Sequence, residues 1–266
     1  EDDLKAFNIK YHKNLFYFGD NKTKADRKGN CIYAYMPKKF PNATIIINSV
    51  NPIEKELLRS INGCLNQIKV RIKVLLVTVD NDETINIYNN FKNKENINNL
   101  QILIIPKSKH PGLGPDGIYY QLNQGIKEVN TRYFSYFSAN DEIFPQKIYN
   151  EIEKLTNSKA IACFSNFYVL QNKKEIINYK SNPIINKDKI KEGCFINDCA
   201  TIDLIKYNEL TGKKLYFDYK NYHNDCYYNI WLDLIINYDP NTITYNNNIE
   251  WKYIRNEINS QSLQTT

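Results

Sequence analysis

The stretch YFSYFSANDEIFP, Tyr133 to Pro145, closes an aromatic run with Ser138, Asn140, Asp141 and Glu142. Side chains of these types offer hard oxygen donors. A carboxylate just beyond a buried strand suits a divalent cation, and with it a diphosphate. Tyr133, Phe134, Tyr136 and Phe137 make an apolar run of strand length, and Pro145 stops it. In an open α/β sheet, ligands bind beyond the carboxyl ends of the strands. A plain polar loop has the same composition, so the weight falls on the elements that would position these side chains.

Two further strand ends carry polar residues. ATIII, 43–47, reads as a buried parallel strand, followed by Asn48, Ser49 and Asn51. Asn51 is the expected N-cap and Pro52 the first residue of a helix with Leu57, Leu58, Ile61, Leu65 and Ile68 at helical spacing. Val70 to Val79 is the next strand, ending in Asp80, Asn81 and Asp82, and a helix carrying Ile85, Ile87, Tyr88 and Phe91 follows. Leu100 to Ile105 is a third strand. The loop KSKHPGLGPDG then opens a helix with Ile118, Leu122, Ile126 and Val129 on one face, before the strand at 133–137 and a helix from Pro145 to Leu155. This alternation predicts a doubly wound α/β sheet with right-handed crossovers.

From Lys159 the pattern changes. AIACFSNFYVL and EIINYK read as antiparallel strands, and NPIINKDKIKEGCFINDCATI as a polar loop. LYFDYKNYHNDCYYNIWLDLII leads into a helix with Tyr227, Ile230, Trp231, Leu234 and Ile235 inward, and a last strand lies near Thr242 to Tyr245. Residues 1–42 form an N-terminal extension, read as a hairpin of NLFYF and CIYAYM around a charged turn. Residues 43–262 form one domain, with a nucleotide-side half at 43–145 and an acceptor-side half at 146–262. Residues 263–266 are a tail.

The 266 residues carry a net charge of +6, which favours anionic partners such as a nucleotide diphosphate or an anionic membrane face. The basic residues are scattered, and no nucleic-acid partner is expected. The six cysteines include no CxxC pair and no zinc spacing, and Cys64 and Cys163 sit in apolar periodic segments as buried thiols. No apolar run approaches the ~20 residues of a membrane span. A reducing, cytoplasmic setting is expected, with peripheral association at a membrane left open. The first residue is not Met, so a processed or excised piece of a longer chain is expected.

Three segments, in this order, resemble the family-two glycosyltransferases of the GT-A fold. INSVN at 47–51, followed by a helix running to Gln67, resembles the family's first strand and PTYN-like loop, with Asn48 in place of the Pro. VTVDNDET at 77–84 is similar to the family's aspartate-rich second strand end, with Asp80 and Asp82 as counterparts. DGIYYQLNQGI at 116–126 and FSANDEIF at 137–144 resemble the segments D-x-GIYDAMNKGI and FLNAGDxF of bacterial members, at matching separation. FDYKNYHNDCYYNIWL resembles the stretch that holds the family's catalytic base, here Asp225. RNEINSQS is similar to the closing R-x-H-x-x-S, without its His.

The resemblance implies transfer of a sugar from a nucleoside-diphosphate donor, UDP-linked by preference, to a glycan, lipid-linked or protein acceptor, with inversion. A small antiparallel acceptor-side sheet would accompany the mostly parallel one. Charge growing on the leaving diphosphate needs a metal or fixed donors. The family's D-x-D falls on Ser138-x-Asn140, so Asp141 is the carboxylate left to hold Mn2+ or Mg2+, and Ser138 and Asn140 would touch ribose or diphosphate. Ser49, Asn51, Asp80 and Asp82 would lie near base and ribose, with Asp80 accepting from a uracil N–H or ribose hydroxyls. Asp116 and Asn123 would approach the donor sugar. Asp225 would take the acceptor's proton. Helix capping is the competing role for Asn51, Asp82, Asp116 and Asp225. Two other readings stand beside this one: a degenerate domain of the same fold that binds a glycan or a partner, and a nucleotidyltransferase. The second lacks a glycine-rich phosphate loop with a suitably spaced basic residue.

Overall fold

The computed structural model describes residues 40–255 apart from 81, 96, 113, 172–173, 180–184, 193–195, 197–198 and 223–225, together with 24–25 and 31–32. By internal packing the chain divides into Glu1–Phe40 and Pro41–Thr266. In the first unit, strands β1 (Lys24–Ala25) and β2 (Cys31–Ile32) pair antiparallel, with Ala25 opposite Cys31. The predicted partner strand NLFYF lies outside the described residues.

The second unit opens with β3 (Asn42–Asn48), α1 (Glu54–Leu65), β4 (Arg71–Val79), α2 (Glu83–Glu95), β5 (Leu100–Ile105), α3 (Pro115–Lys127) and β6 (Tyr133–Ser138). These strands lie in the order β5-β4-β3-β6 and all pair parallel. The central place of β3 explains its unbroken apolar run. Ala43, Ile45, Ile46 and Ile47 are each 0% exposed, because helices cover both faces of the sheet. Ile46, Val77 and Leu122 pack on one face with Trp231, while Ile45, Ile47, Leu57 and Ile61 pack on the other with Ile148 and Ile152.

Strand order steps from β3 to β4 to β5 and then reverses, placing β6 on the other flank of β3. The crevice at such a reversal is where open α/β sheets bind ligands. Here it lies beyond Asn48 and Ser138, the last residues of β3 and β6, which face each other in register.

The second half adds β7 (Glu142–Ile143), α4 (Lys147–Thr156), β8 (Ala162–Gln171), β9 (Lys174–Tyr179), α5 (Lys187–Glu192), β10 (Thr201–Asp203), α6 (Leu204–Thr211), α7 (Tyr219–Tyr222), α8 (Cys226–Asp233) and β11 (Ile243–Arg255). These strands do not form a separate antiparallel sheet. β10 pairs antiparallel with both β6 and β8, so the nine strands share one mixed sheet. β11 runs parallel to β8, and β7 and β9 are antiparallel additions.

Three local expectations are revised. Helix α1 begins at Glu54 with Ile53 as its cap residue, and Asn51 instead turns the chain at φ 49°. Asparagine tolerates that left-handed conformation better than most residues. The last strand continues through IEWKYIR to Arg255, pairing with β8 past two irregularities in register. The stretch read as a polar loop at 182–202 contains α5 and most of β10.

Candidate active site

The β6 end is built by a tight turn. Asp141 N–H donates to the Ser138 carbonyl over 3.2 Å, and Ser60 Oγ donates to the same carbonyl over 3.2 Å. Arg59 on α1 donates to the Asn140 carbonyl over 2.8 Å. Gln67, where the resemblance expects a glutamine, donates to the Phe144 carbonyl over 2.8 Å and accepts from Ile148 N–H over 3.1 Å, fixing the start of α4.

The turn sends Asn140 and Asp141 toward β11. Asn140 Nδ2 donates to the Ile254 carbonyl over 2.7 Å, and the Ile254 N–H donates to Asp141 Oδ1 over 3.3 Å. Asp141 is only 3% exposed. The carboxylate expected to hold a metal is thus engaged through Oδ1 by the backbone of β11. The turn aims it into the protein, where a backbone N–H holds it. Among the described residues, no three His, Cys, Asp or Glu side chains gather as a metal site. A serine and an amide stand in place of the acidic pair, so Asp141 and Glu142 are the carboxylates of this turn.

At the β3 end, Asn48 is buried. Its Nδ2 donates to the Ile118 carbonyl on α3 over 2.8 Å, and its buried Oδ1 has no hydrogen-bond partner. A buried acceptor without a donor is costly, so this oxygen is suited to a ligand N–H or O–H. Ser49 Oγ shares a hydrogen bond with Thr84 Oγ1 over 2.9 Å. At the β4 end, Asp80 is half-buried and its N–H donates to the Ile105 carbonyl over 3.0 Å. Asp82 caps α2: Oδ1 accepts from the Thr84 N–H and hydroxyl. Its Oδ2 accepts the Asn51 N–H over 2.8 Å, tying the β3 and β4 loops together. Asp82 therefore takes the capping role, and Asn51 does not.

Two expected residues sit on α3. Asp116 lies in its first turn, close to Tyr219, whose phenol is raised by burial and by Tyr216, Tyr120 and Asp116 nearby. Asn123 is 3% exposed. Nδ2 donates to the Phe217 carbonyl over 2.7 Å, and the Phe217 N–H donates to Oδ1 over 2.8 Å. Both ends of that amide, expected near the donor sugar, thus bond the Phe217 backbone. Asp225 lies outside the described residues, as do His223 and Asn224.

The loop before α3 is held by a close approach. A Cβ on Gly117 would stand 2.1 Å from the Gly112 carbonyl oxygen and 2.7 Å from His110 Cε1. His110 Nδ1 accepts the Gly112 N–H over 3.3 Å, and burial lowers the imidazole's pKa. The ring contacts were not legible beforehand. Tyr120 packs edge-on between His110 at 6.0 Å and Tyr219 at 6.1 Å. A cavity of about 410 Å³ bordered by Thr44, Lys73, Gln101 and Asn130 lies toward the opposite strand ends and belongs to none of this.

Comparisons with known proteins show the family and the fold. The chain matches the family described as Glycosyl transferase family 2 over residues 44–215 and belongs to that family. Its fold is the GT-A fold. S. aureus TarS 1–349 in complex with UDP is similar at TM-score 0.58 and 14% identity, covering 80% of this chain and 60% of that one. The TarS complex with UDP-GlcNAc gives the same score, with 58% of that chain covered. The mannosyltransferase PcManGT from Pyrobaculum calidifontis, in complex with GDP-Man and Mn2+, is similar at TM-score 0.55 and 11% identity, covering 84% and 59%. This chain thus spans less than two thirds of those structures, and at such identities the likeness is one of fold. No curated protein sequence matches it. The family match stops before Phe217 and Asp225. Among the described residues no helix is long and apolar enough to cross a membrane.

Proposed function

We propose that the chain transfers a sugar from a nucleoside-diphosphate donor, UDP-linked by preference, to a hydroxyl of a glycan, lipid-linked or protein acceptor. The observation that carries this is the strand-order reversal beside β3, with Asn48 and Ser138 paired in register at its strand ends, in a chain of this family. Asn48 Oδ1, Ser49, Asp80 and Ser138 contact the nucleotide. The Ser138 hydroxyl offers a neutral donor to the diphosphate. No step is assigned to a metal. Asp225 takes the acceptor's proton as its oxygen attacks the anomeric carbon from the face opposite the diphosphate, giving inversion. The UDP preference leans on the TarS complexes and is open to GDP, which PcManGT holds.

A second reading is favoured by one observation: Ser138 and Asn140 replace the acidic pair, and Asp141 is turned inward. In that reading the domain binds a nucleotide sugar or a glycan without catalysis. Thermal shift with UDP, GDP and CMP sugars, with and without Mn2+, tests both. A ligand at 100 times its Kd stabilises by about 2.7 kcal/mol. Donor hydrolysis that disappears in Asp225→Asn supports the transferase. Binding without turnover supports the binder, and no binding of any sugar nucleotide rejects both.

A further inference from the structure

We propose that Asn123 is a positioning residue that docks the segment entering the acceptor side, so that α3 sets the distance between donor strand ends and acceptor residues. This rests on the transferase reading for its kinetic part only. Residues 214–218 have no helix or strand of their own, yet Phe217 is 0% exposed. Its buried N–H and C=O must find partners. Asn123 supplies both from one amide, at 2.7 Å and 2.8 Å, reproducing with a side chain the reciprocal pair of a β-bridge. Aspartate has no donor for the carbonyl and leucine has neither group.

A second contact fixes the same point. Tyr119 stacks on Phe217 with ring centroids 5.8 Å apart and planes at 22°. The next residue of α3, Tyr120, meets Tyr219 at the start of α7. On the side facing β3, Ile118 accepts from Asn48. One helix therefore holds the floor of the crevice through Ile118 and the acceptor segment through Tyr119, Tyr120 and Asn123. Asp225 follows in the same stretch of chain.

The test compares Asn123→Leu and Asn123→Asp with the wild type in three measurements. These are amide hydrogen exchange over 212–222, UDP affinity, and kcat and KM for UDP-GlcNAc hydrolysis. Losing both bonds speeds exchange in that segment by about tenfold or more, with the aspartate variant between. UDP affinity stays within about twofold, and kcat falls about tenfold at nearly constant KM, the pattern of a misplaced reacting group. Unchanged exchange overturns the docking. Faster exchange with unchanged kcat overturns the positioning role. A tenfold loss of UDP affinity without faster exchange makes Asn123 a donor ligand instead. If the leucine variant fails to fold, the aspartate variant, which keeps the acceptor for Phe217 N–H, carries the comparison. A wild type that neither binds UDP nor hydrolyses UDP-GlcNAc rejects UDP as donor, while the exchange result still decides the docking.

Discussion

Asp141 and Ile254 are joined across more than a hundred residues of sequence: the strand residue's N–H donates to the carboxylate, while its carbonyl accepts from Asn140. Two side chains expected to serve a ligand grip both sides of one peptide position on β11. Asp141→Ala leaves a buried N–H unpaired and costs about 1–3 kcal/mol, whereas Asp141→Asn keeps an acceptor and costs less. Urea unfolding of the two variants measures the difference. Equal stability of all three proteins would mean that the grip contributes nothing.

Lys147 and Glu151, each with a fully buried side chain, pair at 2.7 Å beneath β8 and β10. Burial pushes the Glu151 carboxyl pKa up, while the Lys147 ammonium and the Ser165 and Thr201 hydroxyls lower it. Lys147 also donates to the Cys199 carbonyl over 2.5 Å. Lys147→Met strands a carboxylate in the core and destabilises by about 3–5 kcal/mol. Adding Glu151→Gln removes the charge, keeps an oxygen for one of the two hydroxyls and turns an NH2 donor to the other, so the double variant recovers part of that loss. Denaturant melts of the single and double variants give the coupling.

Gly117→Ala forces the new methyl against the Gly112 carbonyl and the His110 ring. The backbone oxygen cannot swing aside as a side chain would. The loop must lift from α3, at about 1–3 kcal/mol. Gly125→Ala meets only the side-chain ends of Ile46 and Val77, at 2.8 Å and 3.1 Å, and is the milder change. Paired thermal melts rank the two.

Burial pushes the thiols of Cys64 and Cys163 far above their ordinary range. The reactive form is the thiolate, so iodoacetamide at about pH 8 leaves both unmodified in the native protein and labels both in urea. Peptide mass spectrometry reads this out. The sign for stability follows from linkage. The folded chain holds these protons more tightly, so their contribution is complete below the unfolded thiol pKa. It declines as pH rises above about 9, where the unfolded thiols ionise.

The parallel half of the sheet was legible because its strands are short apolar runs and its helices carry apolar residues at helical spacing. Leu57, Ile61 and Leu122 are each 0% exposed, as their spacing required. The acceptor half was harder for a physical reason. β10 is three residues long, and Thr201 and Asp203 are buried because Glu151 and Arg132 pair with them, a condition that no local pattern announces. The strand ends that flank the expected crevice were legible in outline. Which polar side chains face it was not written there, since Asp82, Asn123 and Asp141 carry the same residue types whether they bind a ligand or hold a loop.

Strand β10 also stitches the first half of the sheet to the second. Its ladder to β6 runs beside the Arg132 guanidinium, whose Nε and Nη2 both donate to Asp203 Oδ2, at 3.0 Å and 2.7 Å. Enzymes that clamp down on a substrate by swinging two rigid bodies need a flexible joint between them, and here that joint is replaced by continuous hydrogen-bonded sheet. A hinge of that kind is therefore not available between β6 and β8.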